Sequence, residues 1–424
     1  MENQDRLLEL AFADKERWQY AIDKGVDKGI CKKDMRELCD EKTRLSMYLC
    51  IKRGLYNISP PHTAQIPKDN GEYRTVFINE PKDRVLLSLI NDMLFEYMPE
   101  MIHKSCKSYQ KGISCGSVVE QLSKEMVKCN TDGVIGWKAD LSKYFDSVPI
   151  EYIDGALNMV EAKWGKSALI DVVRKYYHSD WYFDENNDLK QKYQSLKQGC
   201  APASWLADVV LFSLDATLSM LDGVYIRYSD DIVFIGKDYE KAMEFLQMYI
   251  TNMGMSLNPK KVEYLDRNHW FKFLGFSVKG EHISLSSTGI KNFQKAIEEA
   301  TIKHKKISYD SALHKVYRVL YKGYNDFSWA TRVLRTINVP HDIEVLNGFV
   351  LDCLRAVQTG KKKVGGLGYV RDQKDGCIAR GTGRNVKANK QKIPELLGYY
   401  TIACMQNNLR TSKGLYNAIV RVNM

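Results

Sequence analysis

Apolar residues recur at three- and four-residue spacing between charged ones over residues 1–55, which predicts helices up to the stop at Pro60-Pro61. The period then changes to two. In the segment IPKDNGEYRTVFI, two alternating arms flank Asp69-Asn70-Gly71, which predicts a hairpin within 62–80. A helical period returns from Pro81 to about Met98, with Leu86, Leu87, Ile90 and Leu94 on one face. Residues 134–140 read as a strand that ends in a carboxylate, Asp140, and 150–178 read as helical. A polar turn is expected at 184–187, and one strongly apolar helix over 203–221. Residues 224–235 form a second expected hairpin, turning at Ser229-Asp230-Asp231, and 239–253 a helix ending near Gly254. Short strands are expected over 271–285. From about 288 onward the pattern is mostly helical, interrupted by a Gly-rich basic stretch at 360–392. No internal repeat is seen. The expected class is α+β.

Length and composition refine this only a little. The 424 residues leave room for about three domains at ~150 residues each. No apolar run approaches the ~20 residues that cross a bilayer, so no membrane partner is expected. The N-terminal stretch MENQDRLLELAFADKERW lacks the basic and apolar regions of a signal peptide, and a cytoplasmic location is the expectation. The ten cysteines include no CxxC pair, which argues for free thiols rather than a structural zinc site.

Charge adds more. Of a formal net charge of +10, the stretch 361–392 holds ten Lys/Arg and two Asp, or +8. Such an excess suits a polyanionic partner, though a basic run also reads as a solvated tail. Lys361, Lys362, Lys363, Arg371, Arg380, Arg384 and Lys387 are the candidate nucleic-acid contacts. Between 288 and 335, basic residues alternate with Tyr317, Tyr321, Tyr324, Phe327 and Trp329, a mixture that suits either nucleic-acid stacking or a helical core.

The candidate chemistry rests on carboxylates. Joining a nucleotide to a strand needs two divalent ions ~3.5–4 Å apart more than it needs protein acids and bases. Magnesium takes oxygen ligands and keeps water and substrate phosphates in its shell. A strand ending in Asp140 and a tight hairpin carrying Asp230 and Asp231 suit this. By itself the Asp230-Asp231 pair reads as an exposed turn rather than a site.

Its surroundings resemble the reverse transcriptase family. KADLSKYFDSV (138–148) and YSDD (228–231) resemble the two catalytic motifs, and Gln198-Gly199 resembles the QG turn beside the incoming nucleotide. MSLNPKKV (255–262) resembles the LNxxK segment, and Phe273-Leu274-Gly275-Phe276 the primer-grip hairpin. Upstream, Arg74-Thr75-Val76, Pro81-Lys82-Asp83-Arg84 and Ser108-Tyr109-Gln110 resemble fingers elements. The likeness runs from about 62 to 280. It implies a right-hand polymerase: a helical extension over 1–60, fingers over 61–133, a palm over 134–285 that takes in helices within 150–220, and a helical thumb with a basic C-terminal region over 286–424.

The resemblance also implies roles. Asp140 and Asp230 would bridge two Mg²⁺ ions (Mn²⁺ as a substitute), with the Leu141 carbonyl completing one site and Asp231 beside them. Arg74 would clamp the triphosphate. Lys68 is either a second clamp or a solvated lysine. Lys261, or Lys260 if the alignment slips by one, would lie near the leaving pyrophosphate. Gln198 would touch the nucleotide. Phe145 is either a core ring or the steric gate that rejects a ribose 2′ hydroxyl. The implied partners are an RNA template, deoxynucleotides and a DNA product.

Some details depart from the family. Ala203-Ser204 stands where many members have Ser-Pro, and Ser229 where Ala is common. No His/Cys cluster of the mobile introns, retron VTG segment, diversity-generating SQ signature or RNase H pattern is found. The expectation is a stand-alone bacterial enzyme of the group II intron/retron-like kind, most similar to the unknown-group, defence-associated reverse transcriptases, type 2 among them. Those copy a dedicated structured non-coding RNA; any toxin or effector partner is left open. The alternatives are a template-independent or RNA-synthesising palm polymerase, and an RNA-binding scaffold.

Overall fold

The computed structural model describes residues 5–27, 30, 37–38, 40–67, 71–129, 133–192, 194–304, 306–322, 328–359, 369–371 and 378–380. They fall into two compact units, one within 1–111 and 136–264, the other within 112–135 and 265–424.

The first unit opens with helices Arg6–Ala13, Lys15–Asp27 and Glu41–Lys52. Asp5 and Asp40 cap the first and third by accepting from the Leu8 and Thr43 amides. Trp18 is fully buried, and its indole N–H donates to the Ala11 carbonyl at 2.8 Å. Lys24 and Arg17 reach across to Asp92 (2.7 Å) and Glu96 (2.8 Å) on the long helix Pro81–Tyr97. Proline at the first turn suits that helix, because its missing N–H would have had no partner there.

The strands of this part, in chain order, are β1 (His62–Pro67), β2 (Tyr73–Ile78), β3 (Val134–Asp140), β4 (Trp181–Phe183), β5 (Leu189–Gln191), β6 (Gly223–Tyr228), β7 (Asp231–Gly236) and β8 (Glu263–Asp266). They form two four-stranded sheets, ordered β2-β1-β4-β5 and β6-β7-β3-β8. The first enlarges the expected ribbon. β1 and β2 are antiparallel with Ile66 opposite Arg74, and β4 joins β1 beside His62. Strands of three residues are too short to show an alternation, so only the turn between β4 and β5 was legible.

The second sheet lies within the stretch expected to be the palm. β7 runs antiparallel to both β6 and β3. Helix Phe212–Leu218 packs on β6 and Tyr239–Asn252 on β7, Arg227 of β6 bonds helix Pro202–Val209, and Trp137, Phe234, Leu206 and Leu246 are fully buried. The single helix expected over 203–221 is broken at Val210-Leu211. The acceptors that would continue it are taken from outside: Tyr144 donates to the Ala207 carbonyl at 2.5 Å, and Arg227 donates to those of Asp208 (2.7 Å) and Ala207 (3.3 Å). Helix carbonyls satisfied by side chains end a helix.

The second unit contains helix Cys115–Lys128, entered through a capping box between Ser114 and Ser117. Strands β9 (Phe271–Phe273), β10 (Phe276–Lys279) and β11 (His282–Leu285) form an antiparallel sheet ordered β11-β10-β9. The β9–β10 turn has Leu274 at φ 48° and Gly275 at φ 83°, both in the left-handed region that a two-residue hairpin loop requires. Helices Ser287–Ala300, Tyr309–Tyr317 and Pro340–Thr359 complete the unit. Trp329 packs edge-on against buried Phe293 at 5.2 Å, and Tyr321 is also buried, so for these two aromatics the helical-core alternative applies. Six described cysteines are free. Among the described residues no helix is long and apolar enough to cross a membrane.

Candidate active site

The centre is set by register. Antiparallel pairing places Asp140, the last residue of β3, directly opposite Asp231, the first of β7, and Tyr228 opposite Asp231 on the other side. The β6–β7 hairpin therefore turns on Ser229 and Asp230 alone, with Ser229 at φ 58°. The Leu141 amide donates to the Asp230 carbonyl at 3.2 Å, and the Asn258 amide to the Asp140 carbonyl at 2.8 Å. Three carboxylates are thus fixed by main-chain hydrogen bonds at one end of one sheet.

They repel one another. Burial pushes the Asp230 carboxyl up from the ordinary aspartate range, and the Asp140 charge adds to it. Burial, then Asp230 and Asp140, push Asp231 up to about 6. Lys261 is in contact with them: its ammonium stands 2.6 Å from Asp140 Oδ2. Burial works against that ammonium, but the bond to Asp140 and the charges of Asp230 and Asp231 hold its pKa above the ordinary lysine value. Lys261, rather than Lys260, makes this contact. An all-carboxylate oxygen set fits a hard divalent cation. Among the described residues no three His, Cys, Asp or Glu side chains close round one point as a metal cage. The aspartates form an open field instead, which suits an ion that keeps water and substrate oxygens in its shell.

Arg74 is exposed on β2, and its charge bears on Asp230 and Tyr109. Phe145 is partly buried on the single-turn helix Tyr144–Ser147, edge-on to Tyr144 at 5.7 Å. Gln198 offers its carbonyl to the Phe77 amide of β2 at 2.7 Å. Gly199 follows at φ 98°, where a Cβ would lie 2.8 Å from the Phe77 carbonyl. Leu141 is buried. Lys68, Lys361, Lys362, Lys363, Arg384 and Lys387 lie outside the described residues. Arg371 and Arg380 lie on a short antiparallel pair, β12 (Tyr369–Arg371) and β13 (Ile378–Arg380).

Beneath the hairpin is a buried polar network that the motifs did not reveal. Arg227, 0% exposed, donates to both Asp215 oxygens (2.7 and 2.6 Å) and to the Ser229 carbonyl (3.2 Å). Ser108 donates to Asp208 Oδ1 at 2.5 Å and accepts from the Ser229 amide at 2.9 Å. Tyr109, itself at φ 55°, donates to Ser229 Oγ at 3.4 Å. Asp208 and Asp215 within an apolar helical run, and Arg227 within an apolar strand, were the available signal: a charge at a core position needs a partner.

An antiparallel palm sheet packed on helices, with aspartates at adjoining strand ends, defines the right-hand polymerase class, and the fold is α+β. Residues 66–278 match the family described as "Reverse transcriptase (RNA-dependent DNA polymerase)", half of the chain, and the chain belongs to that family. It is 20% identical to the retron Ec48 reverse transcriptase of Escherichia coli, over 68% of this chain and 72% of that one. It is 25% identical to a COX1/OXI3 intron 2 protein of Saccharomyces cerevisiae over 40% of this chain, which spans only 19% of that protein's length. Among solved structures, apo telomerase from Candida tropicalis aligns over 72% of this chain and 58% of its own, with a TM-score of 0.43 and 13% identity.

Proposed function

We propose that this chain is a bacterial RNA-directed DNA polymerase that uses two magnesium ions, with Asp140 and Asp230 as their shared ligands. The observation that carries the reading is the register of β3 against β7, which sets Asp140 opposite Asp231 with Asp230 in the adjoining turn. Asp140, Asp230, Asp231 and the Leu141 carbonyl would hold the ions. When bound, such ions favour the deprotonated 3′ hydroxyl and neutralise the departing pyrophosphate.

The remaining roles belong to the chain's own groups. Lys261 neutralises Asp140 in the substrate-free site and is within reach of a phosphate that arrives there. Arg74, exposed and close enough for its charge to bear on Asp230, offers a planar fork to phosphate oxygens; Lys68 is a second candidate clamp. Gln198 lines the nucleotide through a turn anchored on β2. Phe145 excludes a ribose 2′ hydroxyl and so selects deoxynucleotides. The basic residues of 361–387 would bind a structured RNA through its phosphates. A dedicated non-coding RNA template, and a place in anti-phage defence like that of the type 2 enzymes, rest on the resemblance drawn from the sequence; the likeness to the retron enzyme supports the bacterial reverse transcriptase reading alone.

The test supplies purified protein with Mg²⁺ and a primed RNA template. Template-dependent incorporation of deoxynucleotides is expected, and replacing Asp230 and Asp231 together by Ala should abolish it while RNA binding persists. Incorporation of ribonucleotides alone, or a double variant that still polymerises, would overturn the reading. Sequencing the RNA that co-purifies, with phage challenge of cells carrying the double variant, tests the template and the defence role.

A further inference from the structure

One ion pair, formed by the chain neighbour of Phe145, has no part in holding the carboxylates. Lys192, in the loop before Gln198-Gly199, has a side chain only 12% exposed. Its ammonium stands 3.3 Å from Asp146 Oδ1, donates to Ser195 Oγ at 2.5 Å and lies 5.4 Å from the centroid of the Phe77 ring. Burial lowers its pKa, and Asp146 opposes that shift. An ammonium taken this far out of water is retained only where a fixed partner compensates it.

The partner is the residue next to Phe145. The helix Tyr144–Ser147 is one turn long and is entered through Lys143 at φ 47°. A single turn has no cooperative stability of its own, so its orientation comes from what anchors it. Tyr144 is one anchor: it is buried, and its hydroxyl donates to the Ala207 carbonyl. Asp146 is the second. Lys192 is in turn fixed to the ribbon, because its loop continues to Gln198, which accepts from the Phe77 amide. The Asp146–Lys192 pair therefore ties together the segment bearing Phe145, the Gln198 turn and the strand bearing Arg74.

We propose that Asp146 and Lys192 are positioning residues for sugar selection, holding the Tyr144–Ser147 turn so that Phe145 meets the incoming sugar at a fixed height. This rests on the reading of Phe145 as the gate. Aspartate has few rotors, and although its side chain is 42% exposed, the near-burial of Lys192 fixes one end of the pair, unlike a surface ion pair whose two ends wander. Loss of either end frees the turn to tilt, and the rejection of a 2′ hydroxyl weakens more than synthesis does.

The experiment measures deoxynucleotide and ribonucleotide incorporation, each as kcat/KM, on one primed RNA template for the wild type, Phe145→Ala, Asp146→Asn, Lys192→Met and the exchanged double variant Asp146→Lys/Lys192→Asp. Methionine keeps the unbranched aliphatic stem of Lys192 and removes its charge, and melting temperatures confirm folding. Phe145→Ala should admit ribonucleotides. Asp146→Asn and Lys192→Met should each raise the ribo/deoxy ratio in the same direction, by about tenfold, the range a misplaced pocket wall produces. The exchanged double variant should recover part of the lost selectivity. If Phe145→Ala opens the site but both single variants keep the wild-type ratio, the positioning role is overturned and the gate stands. If only Asp146→Asn changes the ratio, Asp146 reads the sugar itself and the role of Lys192 is overturned. An unchanged ratio in Phe145→Ala removes the gate and this proposal with it.

Discussion

The amide of Ser229 donates to the hydroxyl of Ser108 at 2.9 Å, and the same hydroxyl donates to Asp208 at 2.5 Å. The order of these bonds matters. With its proton committed to a carboxylate, Ser108 has only lone pairs to offer, and one faces an amide on the turn that carries Asp230. That turn keeps Ser229 at a positive φ, a conformation a non-glycine residue holds only when its surroundings over-determine it. Ser108→Ala is expected to cost about 1–3 kcal/mol, since a buried donor and a buried carboxylate each lose a partner. Deoxynucleotide kcat should fall further than the stability loss alone explains. Urea melts alongside single-turnover incorporation check this; a stable variant with unchanged kcat would contradict it.

Arg227 is the other support of the same turn. Its guanidinium is fully buried and bonded to Asp215, Asp208, Ala207 and Ser229. Arg227→Met strands the Asp215 carboxylate in the core, and breaking such a pair from one side costs about 3–5 kcal/mol. Arg227→Lys should rescue little, because an ammonium cannot reproduce the fork that meets both Asp215 oxygens. Equilibrium unfolding of the two variants is the measurement, with similar losses expected for both.

These two networks mark where the chain could and could not be read in advance. The hairpins at 62–80 and 224–235, the strand ending in Asp140 and the helix from Pro81 were legible because alternation, turn residues and proline act within a few positions. The pairing of Asp140 with Asp231 was not stated by any local pattern; it followed from motif order and is now a register. Ser108 with Ser229, Arg227 with Asp215, and Lys192 with Asp146 join residues 121, 12 and 46 positions apart, and a distant polar partner leaves no period in the sequence. The break in the helix expected over 203–221 has the same origin. Tyr144 and Arg227, distant in sequence, capture its carbonyls.

Gly199 offers a test of how the Gln198 turn is held. At φ 98°, with an added Cβ 2.8 Å from the Phe77 carbonyl, alanine is strained by conformation and contact together. Gly199→Ala should cost about 1–3 kcal/mol, most of it relieved by undocking the turn from β2. Undocking should raise KM for deoxynucleotides more than it lowers kcat. Steady-state kinetics at saturating template distinguishes this from a general loss of folded enzyme, which would lower the apparent kcat alone.

Lys197 gives the fold a pH dependence that can be isolated. It is 3% exposed, donates to the Tyr176 and Ser179 carbonyls at 2.8 and 2.9 Å, and lies 4.4 Å from the centroid of the Tyr176 ring. Burial lowers its pKa to about 8, from 10.5 for an exposed lysine. Between those values the unfolded chain holds the proton and the folded chain does not, so stability rises with pH across this window. The contribution is fully present above 10.5 and is lost as pH falls through about 8. At 1.36 kcal/mol per pKa unit it amounts to about 3 kcal/mol over the window. Lys197→Met lacks it. Urea unfolding of the two proteins from pH 7 to 10.5 should therefore show their stability difference moving in favour of the wild type as pH rises. A difference that stays constant over that range would mean that Lys197 remains charged in the folded protein.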